Sequence, residues 1–170
     1  PLLKVLPHEW WRLRTPLALS VIMLGGMFFV FYGVESYTPL YLIEVRSMGV
    51  IETGLVFTCA AFAWVAASFI QSTLDKHFTH RQSLLCGGLA FFMAFFTLAL
   101  VLNGETPLWL IYPAWGLMGF AMGLTYNTLA TSAMLATEPG REGATAGARG
   151  LIDSLCIGLA AGLGGAIKNQ

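Results

Sequence analysis

The side chains able to do chemistry in this chain are few, and most of them interrupt long apolar runs. Arg149 and Asp153 lie four residues apart in the last run, one helical turn and within ion-pair reach. A charge at the centre of a membrane span costs about 2.5 to 3.5 kcal/mol on insertion scales, so such a pair must be matched, wetted or close enough to an edge to snorkel. Read as a pair, they serve better as a latch at the cytoplasmic side than as a substrate or proton site, and both uses stay open. Glu35 sits between Tyr32 and Ser36 in YGVESY, about 30 Å of helix beyond Arg14. That depth suits an outer-gate carboxylate better than a proton carrier. Trp64, Trp115, Tyr126 and Asn127 are mid-run side chains, and aromatic residues at such spacing are more often plain packing. Met118 and Met122 would add an adaptable apolar wall.

Other chemistries lack their residues. His8, His77 and His80 fall in polar segments, and Cys59, Cys86 and Cys156 stand singly in apolar runs with no CxxC, so neither a metal site nor a disulfide framework is expected. No Ser/His/Asp set, convergent carboxylates or phosphate-cradling loop occurs, which speaks against an enzyme and against a bound cofactor. The formal net charge is +0, so no nucleic-acid partner is implied.

What must position these residues is a set of membrane helices. Of the 170 residues 56% are hydrophobic and only 11% charged, with a mean hydropathy of +0.71, which places the chain in a lipid bilayer. Residues 1–15, with Lys4, Arg12 and Arg14 beside Trp10 and Trp11, read as an interdomain linker at the cytoplasmic interface. The rest, 16–167, reads as an all-α bundle with spans over 16–43, 51–74, 83–102, 107–135 and 141–167. The third is apolar all round and is expected to face lipid as a support. Lys4, Arg12, Arg14, Lys76, Arg81 and Arg141 share one side against Arg46 and Lys168 on the other, which makes the amino end cytoplasmic. Tyr37, Tyr41, Trp109 and Tyr112 then form an outer aromatic belt.

The fifth span has an unusual composition. Gly143, Gly147, Gly150, Ser154, Gly158, Gly162 and Gly165 recur every three or four residues and make one side-chain-poor stripe along a helix. Each glycine weakens a helix by roughly 1 kcal/mol relative to alanine, so a stripe implies that another backbone comes close. That backbone belongs either to a partner bundle or to a neighbour within this chain.

The order of spans, the charged loop DKHFTHRQ after the second, and the run from GLMGFAMGLTYNTLATSAML to PGREGATAGARGLIDSLCIGLAAGLGG resemble the carboxy-terminal half of a major facilitator superfamily transporter. The resemblance covers essentially the whole chain and equates the five spans with that family's seventh to eleventh helices. Asp75, Lys76 and Arg81 match in type the family's gating-loop motif, while Gln71 and Phe78 stand where its two glycines would be. Asn127 stands where many relatives carry proline. The resemblance makes the fourth span a cavity-lining helix and the second an interface helix, and so implies Trp64, Trp115, Tyr126 and Asn127 as candidate contacts for a small-molecule substrate. The resemblance implies secondary transport of a small molecule by alternating access, with proton-coupled efflux as the finer expectation, in a bacterial plasma (inner) membrane. It also implies an amino-terminal transporter half as partner, with the glycine stripe as an interdomain face, and a chain that is not competent alone. The alternative from another class is a non-transporting membrane subunit or scaffold that assembles with a partner bundle.

Overall fold

The structure is a computed structural model; it describes residues 16–74, 79–104 and 106–168, with side chains over 18–73, 79–104 and 106–162. The linker and the loop residues Asp75 and Lys76 therefore lie outside the described residues, as does the surrounding of Gly165. Five α-helices and no strand occur among them: α1 (Pro16–Glu44), α2 (Val50–Leu74), α3 (His80–Leu102), α4 (Ile111–Leu135) and α5 (Glu142–Lys168). A single 3-10 turn, Leu108–Leu110, precedes α4 and delays it by one turn past Pro107.

Local chemistry sets the helix boundaries. Proline opens α1, where its missing N–H is one of the four that a helix start leaves unbonded anyway. Glu52 in the first turn of α2 accepts the Gly49 N–H at 3.2 Å, and Thr79 with Gln82 forms a reciprocal capping box. That box starts α3 at His80, three residues ahead of the apolar run expected from Ser83. Past Asn103, Gly104 takes a φ of +81°, a left-handed conformation that a helix end favours and that glycine adopts without strain. Among the described residues four helices are long and apolar enough to cross a membrane, spanning Ala18–Glu44, Val50–Thr73, His80–Leu102 and Leu108–Leu135. At 27 residues α5 is about 40 Å long, but Arg149, Asp153 and its glycines dilute its hydropathy.

The chain divides into two compact units, and α1 and α4 each run from one into the other. The second unit, Thr38–Thr128, holds α2, α3, the end of α1 and most of α4. Its core is made by glycines. A Cβ on Gly119 would sit 2.0 Å from the Ala60 carbonyl oxygen, and one on Gly123 would sit 2.6 Å from both the Trp64 carbonyl oxygen and the Ala67 Cβ. Backbone therefore meets backbone where α4 crosses α2. On the other side, a Cβ on Gly87 of α3 would be 2.3 Å from Thr125 Cγ2. Trp115, Met118, Met122, Ile111 and Leu98 fill the remaining interior and are fully buried. Phe62 and Phe69 on α2, and Leu89, Phe92 and Phe96 on α3, stay outside, as expected of surfaces that face hydrocarbon.

The other unit, residues 1–37 and 129–170, contains most of α1, the end of α4 and all of α5. Here Ile152 and Cys156 of α5 press on Gly25 of α1, at 3.0 and 3.1 Å from where its Cβ would be, and Ala160 lies 3.5 Å from that point on Gly33. Val21, Ala133 and Ile152 pack together, and Thr137 bonds Thr145 hydroxyl to hydroxyl at 3.2 Å.

These contacts set an expected contrast for the isolated chain in detergent. Gly119→Ala forces α4 off α2 and lowers stability by about 1–3 kcal/mol, the usual cost of overpacking. Gly158→Ala, with nothing within 4 Å of its Cβ, is neutral or raises stability by about 0.5–1 kcal/mol through helix propensity. Thermal unfolding of the two variants measures the difference.

Candidate functional site

The sequence-chosen residues fall into separate groups. In the second unit the structure brings Trp64 and Tyr126 together, ring centroids 6.0 Å apart at 62°, an edge-to-face pair joining α2 to α4. Both are half-buried. Asn127 follows on α4 and donates from Nδ2 to the Gly123 carbonyl at 3.2 Å, so its side chain lies along its own helix. Trp115 sits on Phe57 at 4.8 Å and is fully buried. Met118 and Met122 are 0% exposed as well; the expected adaptable wall is instead core, because these side chains lie inward among α4's neighbours.

In the other unit, Tyr32 stacks on Phe28 at 5.4 Å and meets Phe31 edge-on at 5.2 Å. Glu35 is half-buried one turn further along α1, and the Ser36 hydroxyl donates to the Tyr32 carbonyl at 2.7 Å. The Tyr37 hydroxyl donates to the Ala161 carbonyl, tying this end of α1 to α5. Arg149 Nε and Asp153 Oδ2 are 3.8 Å apart, with side chains only 17% and 16% exposed.

The helical register of α5 places that pair. At 3.6 residues per turn, Thr145, Ala148, Ile152, Cys156 and Ala160 share one face, and these are the α5 residues that press on α1 or bury themselves. Arg149 falls on one side of this face, between Cys156 and Ala160, and Asp153 just past its edge. The glycines lie roughly opposite, and a Cβ on Gly143, Gly147, Gly150, Gly158 or Gly162 would meet nothing within 4 Å. The Ser154 hydroxyl folds back onto the Gly150 carbonyl at 2.8 Å, leaving that stretch smooth. Charge pair and glycine stripe thus occupy different sides of one helix.

Beside the packed face, α1 and α5 line a half-open apolar pocket of about 260 Å³ formed by Ala18, Val21, Ile22, Gly25, Gly26, Ile152 and Cys156. Among the described residues no group of three or more His, Cys, Asp or Glu could hold a metal ion, and the three cysteines are free thiols.

Sequence reasoning gives the residues that hold these groups in place other roles. Gly119 and Gly123, with Ala60 and Ala67 facing them, carry the spacing of small residues that lets membrane helices touch, and that spacing was visible in GFAMG. Arg46, used only for orientation, donates to the Val101 carbonyl at 3.1 Å while Tyr41 donates to Leu102, so the α1–α2 corner caps the end of α3. Gln71, noted only as a departure from a motif, bonds Ser83 and Thr128. Of the gating-loop residues, Arg81 is exposed in the first turn of α3.

Comparison with known proteins gives a family. A model described as Major Facilitator Superfamily matches residues 2–161, nearly the whole chain. No curated protein and no solved structure matches. With its apolar spans and all-helical fold, this integral membrane chain belongs to the Major Facilitator Superfamily of membrane transporters.

Proposed function

We propose that this chain is part of the carboxy-terminal half of a secondary transporter that moves a small molecule by alternating access, and that the glycine face of α5 packs against an amino-terminal half. One observation carries the reading. The glycine face is open while the opposite face of the same helix is packed by Ile152, Cys156 and Ala160. Halves that rock against each other around a midplane site need contact faces without interlocking side chains, and a glycine face meets that need. Residues 75–81 act in this reading as the gating loop at the cytoplasmic side, and Trp64, Tyr126 and Asn127, half-buried on α2 and α4, are the side chains within reach of a substrate.

The finer proposal is proton-coupled efflux from a bacterial plasma membrane. Its support is Asp153, a carboxyl group only 16% exposed on α5 with a cation beside it, together with the half-buried Glu35 on α1. An ion pair on a packed flank lets α5 carry charge into the bilayer, and protonating Asp153 would release Arg149 from it.

Reconstitution of the full-length protein tests the reading. In proteoliposomes, flux of a panel of lipophilic small molecules is expected to depend on an imposed proton gradient; absence of flux for every member counts against transport, and flux indifferent to the gradient counts against proton coupling. Asp153→Asn is expected to flatten the pH dependence of flux. An unchanged pH profile and rate would remove Asp153 from coupling and leave it a structural partner of Arg149.

A further inference from the structure

Glu35 differs from the other carboxylate of the inner helix surfaces. Asp153 has Arg149 at 3.8 Å, whereas among the described residues the Glu35 carboxylate has neither a hydrogen bond nor an ion pair. No described cation is placed to reach it. Arg149 lies eleven residues before Ala160, the α5 residue that meets Gly33, and so stands about 16 Å down its helix from the level of Glu35. Arg46 lies eleven residues further along the chain and donates to the Val101 carbonyl. Helices α2 and α4 carry no Lys or Arg, and α3 carries only Arg81, in its first turn. An ionised carboxylate in a span is costly without a counter-charge, which leaves that place to a ligand.

The groups around it are acceptors as well. The Ser36 hydroxyl gives its single hydrogen to the Tyr32 carbonyl at 2.7 Å, so only its lone pairs remain. Pro39, inside α1, has no N–H, and the Glu35 carbonyl loses the partner that an unbroken helix would supply. Tyr32 precedes Glu35 by three residues and Ser36 by four, which makes the three neighbours on the helix surface. Phe28 stacks on the Tyr32 ring from the turn before and Phe31 meets it edge-on, so the ring is held in place. Tyr32 and Glu35 are half-buried and Ser36 is exposed, which leaves the turn open to a ligand. A carboxylate, a freed carbonyl and a spent hydroxyl offer lone pairs only, and an aromatic ring beside them attracts positive charge. Together they ask for a cation that carries its own hydrogens.

We infer that this turn of α1 recognises a protonated amine, whose N–H groups bond the Glu35 carboxylate and the acceptors beside it and whose charge lies against the Tyr32 ring. The inference rests on the transport reading and names the class of substrate. A quaternary ammonium ion has the charge but no N–H, so it keeps the attraction to the carboxylate and the ring and loses the hydrogen bonds. A neutral molecule of the same shape keeps neither. The division of labour between the two carboxylates follows from their neighbours: Asp153 has a cation of its own, and Glu35 waits for one.

The test is equilibrium binding to the full-length protein in nanodiscs, with a panel of primary, secondary and tertiary arylalkylamines, their N-methylated quaternary counterparts, and neutral ethers of the same shape. Amines are expected to bind about ten-fold more tightly than either other set and to lose about that factor in Glu35→Gln, as the loss of a charge-assisted hydrogen bond predicts. Ser36→Ala and Tyr32→Leu are each expected to weaken amine binding several-fold, and Tyr32→Phe, which keeps the ring, to weaken it less. Quaternary ions that bind as well as amines, amine binding unchanged in Glu35→Gln, or no binding by any amine would overturn the inference. Displacement of every amine by Na⁺ would make the turn an alkali-ion site and overturn it too. Should Glu35→Gln fail to fold, Ser36→Ala and the amine-to-quaternary ratio of the wild type decide it. Flux in proteoliposomes separates this inference from the reading beneath it. Amine binding without flux of any compound counts against transport and leaves the site standing; flux of neutral molecules alone, equal in Glu35→Gln, leaves transport standing and removes the site.

Discussion

The structure depends on the contact of α4 with α2, where Gly119 and Gly123 bring two backbones together over Ala60, Trp64 and Ala67. Inside a bilayer the hydrophobic effect gives helices no reason to associate, because lipid tails are as apolar as leucine. Dispersion between closely fitted surfaces must do it, and dispersion falls steeply with distance. Glycine lowers that distance more than any other residue. Once α4 lies on α2, Trp115 can fill the space beside Phe57, and Gln71 comes within bonding range of Thr128. Packing and polar bonding in this unit are thus consequences of the same crossing.

Glycine has the opposite environment in α5. A Cβ on Gly143, Gly147, Gly150, Gly158 or Gly162 would meet nothing within 4 Å, while side chains of ordinary size on the far face do the packing against α1. The charged pair follows the packed side: Arg149 and Asp153 keep each other company at 3.8 Å, mostly hidden from the surface. A helix with a finished face and an unfinished one is what a proposed two-half transporter asks of an element at the boundary, and its charges are then held by its own half. The exposed phenylalanines of α2 and α3 are a different matter, since hydrocarbon suffices to cover them.

The fold was largely legible in the sequence, because long apolar runs in a chain with few charges leave helices as the only structure that satisfies the backbone in lipid. Departures were local and had local causes: the Thr79–Gln82 capping box starts α3 early, and a 3-10 turn after Pro107 starts α4 late. The site was less legible. Periodicity shows that glycines of α5 share a face but carries no information on what that face meets, and the same GxxxG spacing in α4 drew less notice although it makes the tighter contact. Met118 and Met122 looked like wall and are core, since an all-apolar helix gives no sequence signal for inside against outside. Gln71 stood out as a misfit, but its partner Thr128 is 57 residues away and only the fold joins them.

The central claim is that the two glycine surfaces differ in kind, one internal and permanent, the other reserved for an opposing half. Disulfide trapping in membranes tests it most directly: Gly158→Cys in a full-length protein whose own Cys59, Cys86 and Cys156 are replaced, paired in turn with single cysteines on the helices of the amino-terminal half and on α1 to α4. The account expects trapped product between the halves, at a yield that changes when substrate is present. Trapping confined to α1 to α4, with none between the halves, would contradict it.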